Sequence, residues 1–156
     1  MVKDRPVRLT AAGKARLGDE LRRLETEQRP ALSARIHDAT ANAHPADNGE
    51  VEELKEAFVL IDARIRDLGH MLERAEIVQP DPTVDTVALG SVVTLRGDDG
   101  VEETWTVVSP EEANTLDGTI STESPVGRAV LGCRAGDAPA VITPGGAIVF
   151  TVVSVA

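Results

Sequence analysis

The chain has no tyrosine, one tryptophan and two phenylalanines. Its cores must therefore be filled by Leu, Ile, Val and Ala, and an aromatic-lined catalytic pocket is poorly supplied. Cysteine is single, Cys133, so no disulfide framework exists and a reducing compartment is expected. No CxxC pair, glycine-rich phosphate loop, or Ser/His/Asp or Cys/His set is present, so an independent enzyme is not expected. No apolar run approaches the roughly 20 residues that span a bilayer. The opening Met1-Val2-Lys3-Asp4-Arg5-Pro6 lacks the apolar stretch of a signal peptide, so a cytoplasmic protein without a membrane partner is expected. Positive charge is also short. Sixteen Lys and Arg against 26 Asp and Glu leave a formal net charge of -10, which argues against independent DNA binding as the main task. That balance still suits a basic cleft on another protein.

What is present is an apolar heptad: Val51, Leu54, Phe58, Ile61, Ile65, Leu68, Leu72 and Ala75, spaced 3,4,3,4,3,4,3. A stripe with that period must face a partner helix. Leu17, Leu21, Leu24, Leu32, Ile36, Ala39 and Ala43 upstream supply one. Thr10 reads as the cap of the first helix. Pro30 predicts a kink or a joint there, since proline in a helix interior costs about 3 kcal/mol. The second helix is expected from Asp47 to Ala75, a rod of about 40 Å at 1.5 Å per residue. Between the two helices lies Asn42-Ala43-His44-Pro45-Ala46-Asp47-Asn48-Gly49-Glu50, a charged tip.

Composition changes near residue 79, where Gln79-Pro80-Asp81-Pro82 forms a hinge. The expected division is a coiled-coil finger over 1–78, a linker over 79–85 and a globular domain over 86–156. In the last part, Val87 to Leu95 and Glu102 to Val108 read as strands around the turn at 96–100. Ser124-Pro125 marks a helix start that runs to Leu131 and ends at Gly132. Ala140 to Thr143 and Ala147 to Val155 flank Pro144-Gly145-Gly146 as a closing hairpin. The fold class is α+β: an antiparallel helical hairpin, then a small antiparallel sheet with one short helix.

Several motifs resemble one family. Leu9-Thr10-Ala11-Ala12-Gly13 with Leu17 and Glu20-Leu21 is similar to the opening of bacterial Gre transcript-cleavage factors. Asn48-Gly49-Glu50, Arg64-Ile65 and Ala75-Glu76-Ile77-Val78 resemble the Gre second helix. Ser124 to Gly132, Gly136-Asp137 and Thr143-Pro144-Gly145-Gly146 resemble the Gre C-terminal signature. The resemblance runs from about Arg8 to Val155. It implies a coiled-coil finger and an FKBP-like globular domain. It further implies that the globular domain docks, as a monomer, at the rim of the RNA polymerase secondary channel, with Ser124, Pro125 and Arg128 at the docking surface. The finger would then enter the channel and bring His44, Asp47 and Glu50 near the polymerase's Mg²⁺. No cofactor of the chain's own is implied.

At the tip this chain departs from the cleaving members, which carry an Asp-x-x-Glu pair before the Asn matched by Asn48. Here the Asp position falls on His44 and the Glu position on Asp47. One carboxylate is lost and the other is shortened, which implies a non-cleaving, inhibitory homologue of actinobacterial type. Displacements of about 1 Å cost about a hundredfold in such geometries. An alternative keeps cleavage, with Asp47 and Glu50 as the metal-holding acids at the same spacing but displaced by three residues. A purely structural role also fits, Asp47 as helix cap and Glu50 completing a capping box. A different class, an FKBP-like prolyl isomerase or chaperone, is disfavoured by the scarcity of aromatics, since only Trp105 and Phe150 lie in that part.

Overall fold

The computed structural model describes residues 5–42, 44 and 48–156, and of Asn48 only the backbone. The element order is β1 (Val7–Leu9), α1 (Ala11–Arg23), a π-helical turn (Leu24–Gln28), α2 (Arg29–Asn42) and α3 (Asn48–Glu73). These are followed by β2 (Ala75–Ile77), β3 (Val92–Arg96), β4 (Glu102–Val108), a 3₁₀ turn (Thr115–Asp117), β5 (Thr119–Ser121), α4 (Pro125–Val130), β6 (Ala140–Thr143), β7 (Gly146–Val149) and β8 (Thr151–Val155). The contacts separate into one unit of Lys14–Ala75 and another of Pro6–Gly13 with Glu76–Ala156. Residues 6–13, assigned by sequence to the finger, therefore belong with the sheet. The physical reason is hydrogen bonding: the Val78 N–H donates to the Leu9 carbonyl at 2.8 Å, and Thr10 bonds Glu112.

The helical unit follows the heptad. Leu24, Leu32, Val51, Leu54 and Leu68 are buried, and Phe58, Ile61, Ile65 and Leu72 are partly buried. The last expected seam residue, Ala75, lies instead in β2, and α3 ends at Glu73. Pro30 does not break the rod. The chain widens into the π turn just before it, and the Arg29 N–H reaches back to the Leu24 carbonyl. Cross-helix pairs decorate the seam: Arg64 donates twice to Glu20 at 2.8 and 3.1 Å, and Arg29 meets Asp62 at 2.9 Å. The Arg29 guanidinium also lies 5.2 Å from the Phe58 ring centre. These pairs are about half exposed, so they contribute register more than stability. No helix among the described residues is long and apolar enough to cross a membrane.

The other unit is built on a four-stranded sheet in the order β5-β4-β3-β8. β3 runs antiparallel to β4 and to β8, but β4 and β5 are parallel, so the sheet is mixed rather than wholly antiparallel. Its core is Val87, Val93, Leu95, Val107, Ile120, Val130 and Val152, packed by Trp105, Val126, Cys133 and Phe150. Aliphatic side chains fill it, as the shortage of aromatics requires. The expected strand 87–95 is shorter, beginning only at Val92. The expected closing strand 147–155 divides at Phe150 between two sheets: β7 pairs with β6, and β8 with β3. In the linker, Asp81 Oδ1 accepts from both the N–H and the hydroxyl of Thr83. Those bonds hold its carboxyl below the usual carboxylate range.

Candidate functional site

Two surfaces carry the residues singled out by sequence, one on each unit. On the helical unit, Glu50 lies exposed in the first turn of α3. Acids there are favoured by the helix macrodipole. Glu52, Glu53 and Glu56 follow, all exposed, with Lys55 Nζ 3.7 Å from Glu52. His44 is exposed and outside the helices. Asp47, and with it the predicted capping box and the Asp47–Glu50 pair, lies outside the described residues. Among those described, no three His, Cys, Asp or Glu side chains gather in a metal-holding group. On the first arm, Arg22 meets Asp19 at 3.3 Å and Arg29 meets Asp62 at 2.9 Å, so these two cations are engaged in ion pairs.

On the sheet unit the local chemistry of Ser124 is closed. Its hydroxyl donates to the Ser121 carbonyl at 2.7 Å and accepts from the Gly127 N–H at 3.0 Å. Ser124 is thus the cap that starts α4, with Pro125 at the first helical position, as the sequence predicts. A side chain at Gly127 would place its Cβ 1.8 Å from the Ser121 carbonyl oxygen, so only glycine lets α4 sit this close to β5. What this frame presents outward is Pro125 and Arg128, both exposed.

Beside them lies a shallow groove of about 350 Å³ lined by Pro125, Arg128, Ala129, Ala140 and Ile142. Ile142 is 80% exposed, and its register partner across the β6–β7 hairpin is Ala147. Ala140 and Val149 pair on the same face, so the hairpin shows an apolar surface next to one cation. The sequence reading identified the β6 strand but not its exposed face. The alternation Ala140, Ile142 against buried Val141 was the available signal. Cys133 packs against the core, its thiol donating to the Ala129 carbonyl at 3.4 Å. Burial and, secondarily, Asp137 push the thiol pKa up, which disfavours a nucleophile.

A further residue missed by sequence is internal. Glu112 is 3% exposed and reaches the first turn of α1, where its Oε2 accepts from the Thr10 N–H at 2.9 Å. Its Oε1 accepts from the Thr10 hydroxyl, whose oxygen in turn accepts from the Gly13 N–H at 3.0 Å. The Leu-Thr-x-x-Gly opening therefore caps a helix and leaves room for a buried carboxylate.

These features define an α+β protein of two units, a helical hairpin with an acidic helix start and a small mixed sheet with an apolar groove beside a proline-started helix. The chain belongs to the GreA/GreB family of transcription elongation factors. The family's N-terminal model matches residues 7–77 and its C-terminal model residues 81–156. The transcription elongation factor GreA of Chloroflexus aurantiacus is 44% identical over 154 residues, spanning 97% of this chain and 98% of the relative. GreA of Bacillus licheniformis is 34% identical over 157 residues, spanning 99% of each. Among solved structures, GreA factor homolog 1 (Gfh1) of Thermus thermophilus is 36% identical, with 97% of this chain and 99% of that chain covered, at a TM-score of 0.47.

Proposed function

We propose that this chain binds RNA polymerase as a monomer, docks its sheet unit at the rim of the secondary channel, and inserts the helical hairpin to occlude the channel without stimulating RNA cleavage. The observation that carries the inhibitory part is His44. It stands where the resemblance to cleaving Gre factors calls for an aspartate, and it is exposed. An imidazole supplies at most one neutral ligand nitrogen where a carboxylate would supply charge and two oxygens. The divalent ion in this reading is the polymerase's own, and any hydrolysis is the polymerase's chemistry. Docking is supported by Pro125 and Arg128 at the edge of the apolar groove. Ser124 serves it indirectly, by holding α4 in place.

A second reading, stimulation of cleavage through Asp47 and Glu50, is favoured by the relatives named GreA at up to 44% identity across nearly the whole chain. One assay separates the two. Halted, backtracked elongation complexes with a labelled transcript are mixed with the protein and Mg²⁺. Occlusion is expected to slow nucleotide addition and leave the transcript at its length. A shortened transcript would replace the first reading with the second. Under the first reading, His44→Asp together with Asp47→Glu is expected to create cleavage that the wild type lacks.

A further inference from the structure

The hairpin has an outer face that neither its seam nor its tip explains. On α3, Val59 is 62% exposed and Leu60 71%, although both lie midway along a 26-residue helix. At about 100° per residue, they straddle the side opposite Leu54, Phe58, Ile61 and Ile65. Ala63 lies between them on that side, with Glu52 and Glu56 toward one end and Asp67 toward the other. The face is an apolar island with a mixed but mainly acidic border, Glu52, Glu53, Glu56 and Asp67 against Lys55 and Arg66, with Arg64 beside Leu60 tied to Glu20. Single exposed apolar side chains are ordinary, but an adjacent Val-Leu pair on an otherwise charged helix face has the composition of a contact.

We infer that Val59 and Leu60 form a second contact with the partner, seated on an apolar strip of the receiving wall that is bordered by Lys or Arg side chains. The inference rests on the function proposed above and specifies the chemistry of the surface that receives the hairpin. Charge selects the occupant. A second copy of the chain would bring a face on which Glu52, Glu53, Glu56 and Asp67 outnumber Lys55 and Arg66 against its like, and each copy carries a formal charge of -10. An apolar wall flanked by cations satisfies both halves of the face. Burial of the two side chains supplies affinity, and the flanking charges supply orientation and association rate.

The test titrates core RNA polymerase into the full-length chain carrying an N-terminal fluorophore, read by anisotropy at low and at physiological salt. Val59→Ser with Leu60→Ser is expected to weaken binding by at least about tenfold. Its circular dichroism and thermal midpoint should match the wild type, because both side chains are exposed. Glu52→Lys with Glu56→Lys is expected to weaken binding mainly at low salt, by turning attraction into repulsion. If the wild type binds and the serine pair binds equally well, the inference is overturned and the proposed function stands. If the lysine pair binds as the wild type does, the cationic border is overturned. If the wild type does not bind polymerase, both fail. A wild-type dimer in light scattering that the serine pair converts to monomer would assign the face to a second copy and overturn the inference.

Discussion

Of the glycines that sit in helices, Gly127, Gly13 and Gly69 are ranked by their surroundings. A Cβ at Gly127 would meet the Ser121 carbonyl oxygen at 1.8 Å, and backbone cannot swing aside. At Gly13 it would fall 2.0 Å from Glu112 Cδ. That carboxylate is a side-chain end, but it is buried and accepts from the Thr10 N–H and hydroxyl, so moving it breaks both bonds. At Gly69 nothing lies within 4 Å. Alanine in a helix interior is worth up to about 1 kcal/mol over glycine, so Gly69→Ala should be neutral or stabilising. Gly13→Ala should cost about 1–3 kcal/mol through the lost carboxylate bonds, and Gly127→Ala should cost more. Urea unfolding of the three variants measures the order, and a stable Gly13→Ala would mean that Glu112 is not needed to cap α1. Thr10 was legible as a cap because the rule is local. Glu112 was not, because it lies 102 residues away and its own neighbourhood carries no periodic signal.

At the scale of the element, the π turn has a numerical cause. Leu24 and Leu32 are both buried yet stand eight residues apart, one more than a heptad. Widening the helix over Leu24–Gln28 absorbs the extra residue and keeps both on the seam. It also lets the helix restart at Arg29, so that Pro30 falls in a first turn, where a missing N–H costs little. The sequence showed an irregular seam and a proline, which predicts a kink or a joint. The packing turned the same two facts into an unbroken rod. Deleting Gln28 restores a seven-residue spacing but returns Pro30 to a helix interior. The thermal midpoint of that variant should fall, by a loss approaching about 3 kcal/mol. Deletion combined with Pro30→Ala should melt near the wild type, and equal melting of the two deletions would sever the turn from the proline. Strand β4 was legible residue for residue because Thr104-Trp105-Thr106-Val107-Val108 is a run of aromatic and β-branched residues that follows the turn at 96–100. Strands β1, β2 and β5 have three residues each, too few for alternation to show, and they exist only through their partners.

For the whole molecule, the proposed function divides between surfaces on separate units. Ile142→Asp, on the apolar face of the β6–β7 hairpin, should weaken polymerase binding by about tenfold. Its thermal midpoint should not change, since the side chain is 80% exposed. Combined with the serine pair at Val59 and Leu60, the losses should multiply, because sites with no shared partners act independently. A combined loss no larger than either alone would mean that the two surfaces do not engage polymerase together. The amino-acid sequence by itself determined that there are two kinds of structure, which helix face is buried, and the family, because periodicity, prolines and glycine-marked turns are local. Only the tertiary structure decided that residues 6–13 join the sheet unit and that Phe150 sends one expected strand into two sheets. The same holds for the β4–β5 pair running parallel, and for a buried glutamate starting the first helix. Each of those depends on a partner distant in sequence, and no window of neighbouring residues contains both halves of such a contact.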